Sequence, residues 1–130
     1  MVDEEKSVYM GLYTEEAANL LRVFSEFLDK LKKNPHDKET LEMAGRAIHT
    51  FASNSGFMDF AKISRLARNM EYVFDYLKKS NSTPTDEMLN KMSDSLNVIN
   101  KWFAGLKQNE AEPEVESLIA EMEKLKILTP

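Results

Sequence analysis

The 130-residue chain has the size of one compact domain, and its 42% apolar content suffices for a single core. The absence of cysteine excludes disulfides, thiol catalysis and cysteine metal sites, and a net charge of −5 makes a nucleic-acid backbone an unsuitable partner. Four glycines and four prolines interrupt a composition rich in Leu, Met, Ala, Glu and Lys, so an all-α fold is expected. The acidic start Met1-Val2-Asp3-Glu4-Glu5-Lys6 is unlike a secretory signal, and no segment reaches the ~18 continuous apolar residues of a membrane span. A cytoplasmic domain without membrane contact is the expectation.

A first helix is expected over about Tyr9–Lys32, where Leu12 or Tyr13, Ala17, Leu20, Phe24, Phe27 or Leu28, and Leu31 recur at three- and four-residue steps. Asn34-Pro35-His36-Asp37 ends it, and Asp37 can cap a second helix over about Lys38–Gly56. There Leu41, Ala44 or Gly45, Ile48, Phe51 and Ser55 form the inner stripe. Asp59 is expected to cap a third helix, about Phe60–Lys79, with Phe60, Ile63, Leu66 or Ala67, Met70, Val73 or Phe74, and Leu77 facing inward. After the polar turn Ser80–Pro84, Thr85 opens a fourth helix, about 85–107, with Met88, Met92, Leu96, Ile99, Phe103 and Leu106 on its stripe. Pro113 begins a fifth, about 113–126, with Val115, Leu118, Ile119, Met122 and Leu125. Long stripes joined by short loops predict an up-down-up-down four-helix bundle, the fifth helix packing outside it or extending one pair. The eight methionines read as core filler.

Glycine-rich phosphate loops, Glu-x-x-His pairs, His-Glu-x-x-His and nucleophile elbows are all missing. Of the two histidines, His36 sits in the Pro-Asp turn as a solvated loop residue. His49 lies mid-helix beside Ile48, flanked by small residues: Gly45, Ala52, Ser53, Ser55 and Gly56. Such residues favour close approach of another backbone or a bulky group, tight helix packing being the commoner reason. On periodicity alone, a structural histidine at the edge of the core is the better reading.

The segment Arg46-Ala47-Ile48-His49-Thr50-Phe51, followed by Ser55-Gly56, Phe60 and then Asn69-Met70-Glu71, resembles the histidine phosphotransfer (HPt) domain that begins the chemotaxis histidine kinase CheA. Leu12-Tyr13-Thr14-Glu15-Glu16-Ala17 resembles that family's first helix and Asn34-Pro35-His36-Asp37 its first turn, so the likeness spans nearly the whole chain. It implies that His49 accepts the γ-phosphoryl group of ATP from a separate kinase domain and passes it to an aspartate of a response regulator. ATP and Mg would belong to the partner domains, with no cofactor bound by this one. The partners implied are a histidine kinase catalytic domain and response-regulator receiver domains, the isolated domain being a monomer. Histidine's ordinary pKa of about 6.5 suits such a nucleophile.

By the same resemblance, Glu71 holds one ring nitrogen and leaves the other free. Spacing is less selective. If the second and third helices turn about residues 57–58, Glu71 lies some five residues, roughly 7 Å, deeper than His49, and Arg68 fits its height better. Three positions depart from the family pattern. Its lysine three residues after the histidine is Ala52 here and the next glycine is Ser53, while its second histidine, three residues before the glutamate, is Arg68. Arg68 could supply the phosphate-side cation, or simply pair with Glu71 or Asp75. A lysine at position 52 would be expected one turn from His49 on the same face. The competing function is a degenerate module that docks a regulator or kinase without transferring phosphate; an independent helical enzyme lacks a second catalytic group. The parent is either a CheA-like kinase or a free-standing phosphotransfer protein.

Overall fold

Acidic residues at the start of a helix and basic ones at its end complement the helix dipole, and the first helix uses both. The computed structural model describes residues 3–128. Helix α1 runs over Asp3–Lys33, beginning earlier than the apolar stripe alone indicates, with Lys30, Lys32 and Lys33 in its last turn. Its buried positions step through Tyr13, Ala17, Leu21, Phe24, Leu28 and Leu31; Leu20 and Phe27 lie half-buried beside them, and Leu12 is exposed.

Helix α2, Lys38–Phe57, starts as expected at Asp37, whose carboxylate accepts from Thr40 N at 3.1 Å and from Thr40 Oγ1 at 2.8 Å. These two bonds hold the Asp37 carboxyl below its ordinary pKa. Helix α3, Ala61–Lys79, is capped differently from the expectation. Asp59 adopts a left-handed backbone (φ 64°) in the turn, and Phe60 at the cap position offers no side-chain acceptor. Glu112, from the distant segment before the last helix, instead accepts from Ile63 N at 2.8 Å.

Helix α4 covers Asp86–Ala104, with Thr85 accepting from Met88 N at 3.1 Å. It stops at Gly105, sooner than the stripe suggests, and a 3-10 turn over Leu106–Gln108 follows. A Cβ at Gly105 would stand 2.9 Å from the Glu110 side chain, so the returning chain needs glycine there. On α4 it is Trp102, three residues past Ile99, that is buried, with Phe103 half-buried alongside. Helix α5 spans Glu116–Leu128, three residues later than expected, Val115 being buried just ahead of it.

The helices form a bundle in which α2 packs on α3 and α1, and α4 packs on α1. Helix α5 lies along both α3 and α4, which otherwise touch sparsely, so it covers that side of the bundle. Met122 and Leu125 supply its buried contacts. Ion pairs flank them: Lys62–Glu114, Arg65–Glu116 and Lys91–Glu121. An aromatic cluster of Tyr13, Phe51, Phe60 and Trp102 fills the core near the α2–α3 turn. There the Tyr13 hydroxyl and Ser55 Oγ are 2.8 Å apart. Among the described residues, no helix is long and apolar enough to cross a membrane.

Candidate functional site

Because the turn from α2 to α3 occupies residues 58–60, the hairpin is centred near residue 60 rather than at 57–58. Gly56 thus meets Ser64, and Gly45 meets Phe74, each pair about equally far from that centre. The same register sets Glu71 level with His49, removing the gap of about five residues expected from the sequence. Their side chains join: His49 Nδ1 lies 2.5 Å from Glu71 Oε2.

Burial separates the roles of the two partners. Ile48 beside His49 and Met70 beside Glu71 are fully buried and anchor the facing stripes. The His49 side chain is 55% exposed, while that of Glu71 is 24% exposed. The carboxylate therefore sits at the edge of the helix pair, and the ring reaches outward over it. With a carboxylate at Nδ1, the neutral ring carries its hydrogen there, which leaves the Nε2 lone pair available. Nε2 has no hydrogen-bond partner among the described residues.

From His49 an open groove runs between α2 and α3 to the α3–α4 turn. Buried Leu41, Phe74 and Leu77 line its depth, and Glu42, Arg46, Asp75 and Lys78 its rim. Glu42 pairs with Arg46 at 3.0 Å and with Lys78 at 3.5 Å, and Asp75 with Lys79 at 2.9 Å.

Arg68 does not line this groove. It is exposed in a second depression, nearer the α2–α3 turn, together with Ser53, Phe57 and Tyr72. It forms no ion pair with Glu71 or Asp75 among the described residues. Ser53 is one helical turn from His49, so Arg68 stands beside the site and not across from the ring.

Ala52 corrects an expectation. It is fully buried and its carbonyl accepts from Ser64 Oγ at 2.8 Å, so a lysine there would start inside the α2–α3 contact instead of beside His49. The position on the histidine's flank is Ser53, four residues on. His36 is exposed in its turn, with Nδ1 3.3 Å from Thr83 Oγ1. Ser64 and Glu112 gave no signal in the sequence, since each acts on a backbone group far away in the chain.

A helical bundle presenting a half-exposed histidine, one nitrogen tethered to a carboxylate and the other open, defines a class of phosphoacceptor-like modules. The Hpt domain family model matches residues 8–126, and the chain belongs to that family. The chemotaxis protein CheA of Borreliella burgdorferi is 27% identical over 104 residues, covering 80% of this chain and 12% of the relative. CheA of Listeria monocytogenes is 28% identical over 80 residues, covering 62% of this chain and 13% of the relative. The chain thus corresponds to a small part of these proteins.

Solved structures that share the fold include three domains of CheA proteins. The CheA phosphotransferase domain from Thermotoga maritima has a TM-score of 0.72 at 26% identity, covering 82% of this chain and 98% of that one. A histidine phosphotransfer domain of CheA solved in solution has a TM-score of 0.83 at 24% identity, with 100% and 95% coverage. The phosphorylated P1 domain of CheA3, in complex with CheY6 from R. sphaeroides, has a TM-score of 0.83 at 16% identity, with 96% and 99% coverage.

Proposed function

We propose that this domain is the phosphoryl carrier of a chemotaxis-type two-component system, with His49 Nε2 as the acceptor atom. The observation that carries this reading is the 2.5 Å Nδ1–Glu71 contact at a half-exposed ring, which directs the free lone pair outward. A kinase domain supplies ATP and Mg. The Nε2 lone pair attacks the γ-phosphorus, the N–P bond forms, and ADP departs with the electron pair of the broken P–O bond. The Nδ1 hydrogen stays on the ring, where the Glu71 carboxylate offsets the positive charge that develops on the imidazole. A receiver aspartate then attacks phosphorus, and the neutral imidazole leaves.

Arg68, exposed beside Ser53, is the cation we assign to the phosphoryl oxygens of the modified ring. The partners are accordingly a kinase catalytic domain and a response-regulator receiver domain, and the compartment is the cytoplasm. The similarity to CheA proteins and the CheY6 complex of a structural neighbour support this choice of partners.

Incubation with a CheA kinase core and radiolabelled ATP should label the native chain and leave His49→Gln unlabelled. A receiver domain added afterwards should take the label up. The competing reading is docking without transfer. Binding of the receiver by a native chain that never labels would establish that alternative.

A further inference from the structure

Apolar contacts hold α2 against α3 but are not directional, so they do not by themselves fix how far one helix slides along the other. One residue of slide is a ~1.5 Å displacement, enough to misalign the contact between His49 and Glu71. We infer that Ser64 is a positioning residue for His49: its hydroxyl, bonded to the Ala52 carbonyl and seated against Gly56, fixes the register of α2 on α3. The bond is 2.8 Å long, and Ser64 is only 7% exposed. Its acceptor lies three residues from His49, about one turn along α2.

Gly56 completes the arrangement. A Cβ there would lie 3.1 Å from Ser64 Oγ and 3.8 Å from Ser64 Cβ, so glycine leaves room for the hydroxyl in particular. Among the described residues, polar side-chain links between these helices also occur at the surface: Lys78 to Glu42 at 3.5 Å, and His49 to Glu71 itself. A buried hydroxyl-to-carbonyl bond, shielded from water, is directional where the apolar contacts are not. It places Ser64 upstream of the ring geometry while touching neither the ring nor any substrate.

The effect on transfer rests on the proposed phosphoacceptor role of His49, whereas the effect on the ring does not. The test therefore reads both. Ring 15N signals of His49 report its tautomer, and phosphorylation by a CheA kinase core reports the rate, for Ser64→Ala, Gly56→Ala and the double variant. Ser64→Ala should move the ring signals toward a mixture of tautomers and slow labelling roughly tenfold, within what a ~1 Å misplacement can cost. Gly56→Ala should do the same by crowding the hydroxyl. The double variant should be no worse than Ser64→Ala, because its added methyl meets only Cβ.

Native ring signals in Ser64→Ala would overturn the inference. Should that variant fail to fold by thermal melting, native ring signals in Gly56→Ala would overturn it equally. Altered ring signals in a chain whose native form never labels would sustain Ser64 and defeat the phosphoacceptor reading instead.

Discussion

Replacing Glu71 by Gln preserves the size of the side chain but removes the charge facing His49 Nδ1. The contact is 2.5 Å long, yet the ring is 55% exposed and solvent screens it. Its contribution to folding therefore belongs with exposed pairs, under about 1 kcal/mol, and the melting temperature should fall by only a few degrees. The effect on the nucleophile is larger. Hydrogen bonds to charged groups are worth roughly 1.5–3 kcal/mol, and screening at this half-exposed ring favours the low end. About 1.4 kcal/mol expressed in the transition state corresponds to a roughly tenfold slower phosphorylation. A glutamine amide can also donate to Nδ1, which would put the ring hydrogen on Nε2 and block the reacting atom. Time courses of labelling, together with ring NMR, check both effects. Native rates and an unchanged tautomer in Glu71→Gln would remove Glu71 from the mechanism.

Ala52→Lys should destabilise the fold by about 1–3 kcal/mol, as overpacking of a buried site does, without accelerating transfer; a chemical denaturation curve and a labelling rate decide it. Arg68→Ala should leave ring tautomer and stability unchanged but slow labelling, and equal rates would exclude Arg68 as the phosphate-side cation. Glu112→Ala should cost about 1 kcal/mol, the usual loss of a helix cap, with faster hydrogen exchange at the start of α3. Burial pushes the Tyr13 phenol up to about 12, against the opposing bond with Ser55. A raised pKa means its contribution is intact below the ordinary value near 10 and is lost as pH rises towards 12. Alkaline unfolding should accordingly coincide with ionisation of this tyrosine, and Tyr13→Phe should abolish that coupling.

The helices themselves were legible because Phe24, Ile48, Met70 and Ile99 sit on stripes that repeat at helical spacing, and a stripe needs only local sequence. Caps were legible where donor and acceptor are neighbours, as with Asp37 and Thr40. The start of α3 was not, because its carboxylate comes from Glu112, 49 residues away. Asp59, the local candidate, is turned aside by its left-handed backbone. Likewise the His49–Glu71 contact depends on how many residues the α2–α3 turn consumes. Extending α2 to Phe57 and placing the turn at 58–60 moves the hairpin centre by about two residues, which brings Glu71 level with the ring. For Ala52, the resemblance indicated which residue type to miss but not that the position faces inward. That depends on the crossing of α2 with α3 and on the Ser64 bond to its carbonyl.

The acceptor atom is the centre of the account, and ring NMR of the chain before and after phosphorylation tests it most directly. The Nε2 signal of His49 should acquire coupling to phosphorus, with the Nδ1 hydrogen still bonded to Glu71 and His36 unchanged. Phosphorus coupled to Nδ1 of His49, or to either nitrogen of His36, would contradict it.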